Sequence, residues 1–179
     1  MLGGLKKVET VKVNFTVNGE SHDIDVEPRR MLADVLRHDL YCFGVHLGCE
    51  HGVCGACTII VDGAAVRSCL MLAAQAQGSE IVTTEGLGTP EHLHPVQQAF
   101  NEEHALQCGF CTPGFVCTIT AMLPEIPDMD DTELRNELSG NICRCTGYAN
   151  ILRAARSAAQ HQETAGLALS AEAVDYDDD

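Results

Sequence analysis

Residues 48–58 read Gly-Cys-Glu-His-Gly-Val-Cys-Gly-Ala-Cys-Thr, and Cys69 follows after eleven intervening residues. The spacing, C-x4-C-x2-C…C, is that of a [2Fe–2S] centre. Cys49, Cys54 and Cys57 sit in one tight loop and can surround one face of a cluster, while Cys69 must arrive from a neighbouring element beyond the turn at Asp62-Gly63. Gly48, Gly52 and Gly55 interleave with the cysteines. Glycine tolerates positive φ and lets backbone N–H groups approach sulfur, which spreads negative charge and raises the reduction potential. Structural zinc is disfavoured, because it prefers two short knuckle pairs to a four-residue gap with a distant lone ligand. A Rieske centre needs two histidine ligands, and His51 in the loop reads as a solvated side chain.

Outward from this loop, the preceding residues alternate. Val11, Val13, Phe15 and Val17 fall on one face and Lys12, Asn14 and Thr16 on the other, the period of a half-buried strand. Asn18-Gly19 signals a hairpin whose return strand turns Ile24 and Val26 inward; Pro28 ends it before a helix over about Met31 to Asp39. After the loop, Thr58 to Val61 reads as a buried strand, Asp62-Gly63 as a second tight turn and Ile81 to Thr83 as a closing strand. Residues 11–84 therefore form an α+β unit after an N-terminal extension at 1–10. Gly86 and Gly88-Thr89-Pro90 mark 85–92 as a linker.

Residues 93–160 have helical periodicity. Pro95 opens a helix through His104, and Thr112-Pro113 offers an N-cap followed by proline, with Phe115, Ile119 and Met122 on one face. A third helix spans Asp131 to Leu138 and stops at Gly140. A fourth spans about Tyr148 to Gln160, with Thr146 as its cap and Ile151, Leu152, Ala155 and Ala158 inward. Four short helices suggest a small bundle. Here lie Cys108-Gly-Phe-Cys111 and Cys143-Arg-Cys145. Alone, C-x2-C is ambiguous among a redox dithiol, a zinc knuckle and an iron–sulfur clamp. Cys111 and Cys145 each precede an expected helix start, where the positive dipole end favours an anionic cluster. Cys42 and Cys117 remain, and their apolar surroundings read as those of buried small hydrophobes.

Composition limits the partners. A net charge of −15 argues against nucleic acid and anionic membrane surfaces. No apolar run approaches membrane-span length and residues 1–11 hold no apolar run of signal-peptide length, so the expected compartment is the cytoplasm, where thiols stay reduced and metal binding outranks disulfides. Glu172, Asp175, Asp177, Asp178 and Asp179 lie in a stretch without Lys or Arg after Arg156, which makes 161–179 an acidic tail of disordered composition.

Three stretches together carry a family resemblance: 48–58 quoted above, Gln-Cys-Gly-Phe-Cys-Thr-Pro-Gly at 107–114, and Gly-Asn-Ile-Cys-Arg-Cys-Thr-Gly-Tyr at 140–148. Over about residues 11–160 the chain resembles the iron–sulfur subunit of molybdenum hydroxylases, the family of xanthine dehydrogenase and carbon monoxide dehydrogenase. The resemblance implies a plant-ferredoxin-like β-grasp domain followed by a four-helix bundle domain. It implies one [2Fe–2S] cluster on Cys49, Cys54, Cys57 and Cys69 and another on Cys108, Cys111, Cys143 and Cys145. It further implies a large subunit with molybdopterin, often as the cytosine dinucleotide, and a medium subunit with FAD. The expected assembly is a hetero-oligomer, with a dimer of heterotrimers as one arrangement. Gln107 matches a family position that hydrogen-bonds the pterin, and Cys145 the ligand nearest to it. No residue of this chain is expected to be catalytic toward substrate; its role is to fix distances and tune potentials along an electron path.

Two other functions compete. A free-standing two-cluster ferredoxin would have no need of the Gln107 contact or of a second helical domain. An iron–sulfur sensor that binds DNA would show a basic surface, which this acidic chain lacks.

Overall fold

The computed structural model describes residues 8–165, with side chains through 161. Strand β1 (Val11–Val17) pairs antiparallel with β2 (Glu20–Val26) across the Asn18-Gly19 turn, both of whose residues have positive φ. The alternation in β1 is realised from Val13 onward: Val13, Phe15 and Val17 are buried while Val11 at the strand's start is exposed, and Val26 completes the inner face from β2. Helix α1 (Leu32–His38) covers that face with Leu32, Ala33, Val35 and Leu36. Strands β3 (Thr58–Val61), β4 (Ala64–Arg67) and β5 (Glu80–Val82) complete a mixed five-stranded sheet in the order β2-β1-β5-β3-β4, in which β1 and β5 are parallel. The closing strand begins one residue earlier than its sequence suggests. β4, with the small and partly exposed sequence Ala-Ala-Val-Arg, is the sheet edge that periodicity does not reveal.

The second half holds four α-helices among the described residues: α2 (Pro95–Glu102), α3 (Thr112–Ala121), α4 (Asp131–Leu138) and α5 (Ala149–Ala165). Its apolar core is separate from that of the sheet and gathers Phe100, Phe115, Ile119, Leu134 and Ile151, all nearly inaccessible. Two helix starts follow ordinary capping chemistry. His94 Nδ1 accepts the Val96 N–H before Pro95, and the Asp130 carboxylate accepts the N–H groups of Thr132 (2.7 Å) and Glu133 (2.9 Å) while Glu133 returns a bond to Asp130 N.

The other two depart from expectation. Thr112 is already inside the first turn of α3, behind Cys111 in helical conformation, and its hydroxyl has no partner. Thr146 does not cap α5, because the Tyr148 carbonyl accepts the first helical bond, from Leu152, and Gly147 and Tyr148 both have positive φ. α2 ends at Glu102 because His104 turns to positive φ. α5 continues to Ala165, five residues past its expected end, so 161–165 are helical; the rest of the acidic tail and residues 1–7 lie outside the described residues. Between the halves, a 3₁₀ turn at Thr84–Gly86 is held on both sides: the Glu85 carboxylate accepts from Gly44 N–H and Thr83 Oγ1, and Gln97 Nε2 donates to Thr84 O (3.0 Å).

Candidate metal centres

The first cysteine loop is shaped by left-handed residues at Glu50, Gly52 and Gly55. Their effect is to point successive N–H groups at sulfur. Cys49 is lowered to about 6, first by the His51 N–H and then by that of Cys54, whose nitrogen lies 3.4 Å from Cys49 Sγ. Gly48 leaves necessary space, since a Cβ there would stand 3.2 Å from Cys54 Sγ. The fourth cysteine comes from the 3₁₀ turn Ser68–Leu70 that follows β4. Ser68 anchors that turn to the loop by donating from both its hydroxyl (2.7 Å) and its N–H (3.3 Å) to Cys57 O. Burial pushes the Cys69 thiol up to about 11; neighbouring Cys57 adds to the shift and the Gly52 N–H opposes it.

The second set joins two turns that are distant in sequence. Cys108 and Cys145 bring their Sγ atoms to 3.5 Å, both exposed, while Cys143 is buried and Cys111 half-buried. Burial pushes Cys111 up to about 12, with Cys143 close by as the next cause. Burial would also raise Cys143, but donation from the Thr146 hydroxyl (3.2 Å) and the Thr146 and Cys145 N–H groups outweighs it and lowers this thiol. Cys145 is raised, chiefly by its contact with Cys108. The Thr146 hydroxyl, expected at a helix cap, donates to a cysteine sulfur and accepts the Tyr148 N–H (3.2 Å) just before α5. Gln107 is exposed beside Cys108. Cys42 and Cys117 are 7% and 1% exposed, and burial raises both thiols, as fits small core residues.

The two sets meet at a junction. Ile142 N–H donates to Cys54 O (2.9 Å), and His46 stacks on Phe110 at 4.9 Å between centroids while its Nδ1 lies 2.6 Å from Phe110 O. The N-terminal turn of α3 closes on the first loop at Gly114, where a Cβ would collide with Gly55 O. Asn141, buried between them, bonds to both halves. Asn141 and Arg67 have no role in the sequence reading, although Asn141 stands inside one of the three quoted stretches.

The chain matches the family described as 2Fe-2S iron-sulfur cluster binding domain over residues 15–83 and the [2Fe-2S] binding domain over residues 83–156. It is 53% identical over 144 residues to the 6-hydroxypseudooxynicotine dehydrogenase complex subunit beta of Paenarthrobacter nicotinovorans, covering 80% of this chain and 90% of that one. It is 51% identical over 156 residues to the caffeine dehydrogenase subunit gamma of a Pseudomonas species, covering 86% and 93% respectively. The crystal structure of quinoline 2-oxidoreductase from Pseudomonas putida 86 superposes with a TM-score of 0.82 at 46% identity, over 88% of this chain and 98% of that one. The chain belongs to the iron–sulfur subunits of the molybdenum hydroxylases.

As in the expectation for this family, the chain is built for two [2Fe–2S] clusters, one in each half. The donor chemistry fits. Each half brings cysteine thiols together under several N–H or O–H donors, the surroundings that stabilise thiolate and sulfide. Among the described residues no three His, Cys, Asp or Glu side chains close on a single ion; a two-iron cluster divides its four thiolates between two iron atoms. No helix among the described residues is long and apolar enough to cross a membrane.

Proposed function

We propose that Cys49, Cys54, Cys57 and Cys69 hold one [2Fe–2S] cluster and Cys108, Cys111, Cys143 and Cys145 the other, and that the chain conveys electrons singly from a molybdopterin site to FAD. The observation that carries this reading is the pairing of Cys108 with Cys145 at 3.5 Å, exposed beside Gln107, while Cys143 is buried and its neighbour Ile142 donates to Cys54 O of the first loop. One end of the path thus opens at the surface and the other lies against the first loop. A bound [2Fe–2S] cluster supplies one-electron storage; the residues of this chain supply spacing, burial and hydrogen bonds to sulfur.

In this reading Gln107 hydrogen-bonds the pterin of a large subunit, where the cofactor is the cytosine dinucleotide form, and Cys145 is the ligand nearest to it. A medium subunit carries FAD near the first loop. The sheet half corresponds to a β-grasp ferredoxin-like domain at 11–84 and the helical half to a four-helix bundle domain at 93–160, with 85–92 as linker. The assembly is a hetero-oligomer, with a dimer of heterotrimers as one arrangement, and we place it in the cytoplasm, where thiols remain reduced. Substrate choice rests with the large subunit, in keeping with relatives named for compounds as unlike as caffeine and quinoline.

The deciding measurement is iron, molybdenum and flavin content of the chain purified with its bound partners. About four irons per chain, with molybdenum and FAD in equal amounts, is the expected result. Four irons with neither molybdenum nor flavin would turn the assignment to a free-standing two-cluster ferredoxin.

A further inference from the structure

We infer that Asn141 is a positioning residue that fixes the separation and orientation of the two iron–sulfur centres through a buried side-chain amide shared by both halves of the chain. This rests on the two-cluster reading above.

Asn141 is 1% exposed, and its amide meets partners on both sides of the junction. Its Nδ2 donates to Gly55 O (3.1 Å) and reaches Thr58 Oγ1 (3.5 Å), both in the sheet half. Its Oδ1 accepts from Thr118 Oγ1 of α3 (3.1 Å) and from Arg67 Nη2 of β4 (3.3 Å). The Thr118 hydroxyl, with one hydrogen, divides it between Asn141 Oδ1 and Gly114 O (2.9 Å). Arg67 adds a second tie to the same segment through Gly140 O (2.6 Å) and braces Thr58 Oγ1 (2.5 Å). The orientation of the amide is fixed, because the reverse would set Oδ1 against the Gly55 carbonyl.

The position of this knot distinguishes it from an ordinary core contact. Gly55 lies between Cys54 and Cys57, and Asn141 lies two residues before Cys143. One amide therefore spans the loop that carries two ligands of the first centre and the segment that carries a ligand of the second. The two apolar cores share no residue. Apolar contact is also non-directional, whereas a set of hydrogen bonds to fixed backbone and side-chain groups admits one register. The residues around the knot, Gly55, Ala56, Gly114 and Gly140, have little or no side chain with which to set that register by shape.

Asn141→Asp tests this with almost no change in volume. The variant keeps an acceptor for Thr118 and Arg67 and replaces the donor facing Gly55 O with an oxygen. Thr118→Val and Arg67→Met remove single partners from the two sides. Each is prepared as the full chain with its co-purifying subunits. Iron and sulfide are counted, and the inter-cluster distance and magnetic interaction are read from low-temperature EPR of the dithionite-reduced protein. The expected result is full iron content and an unchanged visible spectrum, with an altered inter-cluster distance and loss of the wild-type interaction pattern, most complete in Asn141→Asp. Full iron with wild-type distance in all three variants would overturn the inference. So would iron loss in all three, which would make Asn141 part of cluster retention. If Asn141→Asp alone lost iron, an unchanged distance in the other two would overturn the inference and an altered one would support it. A wild-type chain without four irons would instead defeat the ligand assignment on which the inference rests.

Discussion

The two cysteine sets reach similar sulfur environments by different routes. In the first, the backbone does the work: one loop with three left-handed residues directs N–H groups at Cys49, and the fourth cysteine is tied in by Ser68 bonding to Cys57 O. In the second, two turns separated by α3 and α4 are brought together, and a side chain, Thr146, supplies the hydroxyl that serves Cys143. A loop-built site depends on local conformation and a single sheet edge. A turn-built site depends on the packing of the helices that present it. The second set should therefore be the more sensitive to its core and to single side-chain donors.

The largest effect expected is ligand loss. Cys69→Ser and Cys108→Ser should each remove one cluster and about half of the roughly four irons, leaving distinct residual visible and circular-dichroism spectra. Cys42→Ser and Cys117→Ser should retain all of it. Equal iron loss from all four would erase the distinction between the sets and the assignment with it.

Core truncation sharpens the comparison next. Phe15 and Phe115 are each nearly inaccessible, one in each core, so replacement by Ala should cost about 3–5 kcal/mol in either half. Denaturant titration should show similar losses, but only Phe115→Ala should release the second cluster ahead of the first. Simultaneous release in both variants would mean that the halves unfold as one unit.

A smaller effect is expected at Thr146. Thr146→Val removes a hydrogen bond to Cys143 Sγ and should make the second centre's reduction potential more negative without iron loss, as followed by redox titration. An equal shift at the first centre would show that the hydroxyl acts globally and not on its own set.

The smallest is at Asp130, remote from both sets. The N–H groups of Glu133 and then Thr132 hold its carboxyl below its ordinary range. Its folded-state pKa is depressed, so its contribution to stability is complete above the ordinary carboxylate range and is lost as pH falls through the depressed value. The melting-temperature gap between wild type and Asp130→Ala should be small at neutral pH and should close in acid. A gap independent of pH would point to propensity in place of charge.

What was legible in the sequence follows the range of the interactions. β1, the Asn18-Gly19 turn, β3 and α4 are set by neighbours within a few residues, and pattern reading finds them. α3 and α5 start within a residue of their expected positions, but their caps differ: Thr112 and Thr146 satisfy the local rules for caps, and the adjacent cysteine turns put Cys111 before α3 and Gly147-Tyr148 at positive φ before α5. The eight cysteines were visible through spacing, and the structure brings members of each set together. Asn141 was not visible, because a buried amide is defined by its partners and Gly55 is 86 residues away. Arg67, 73 residues from Gly140, is the same case.

That separation has a consequence in time. At about 5–20 residues per second, the 86 residues between Gly55 and Asn141 take roughly 4–17 s to synthesise. Throughout that interval the Cys54 carbonyl lacks the Ile142 N–H and the Gly55 carbonyl has only its local Thr58 donors, because the segment that will cover them does not yet exist. The first loop therefore stays open on its junction side until the second motif has emerged.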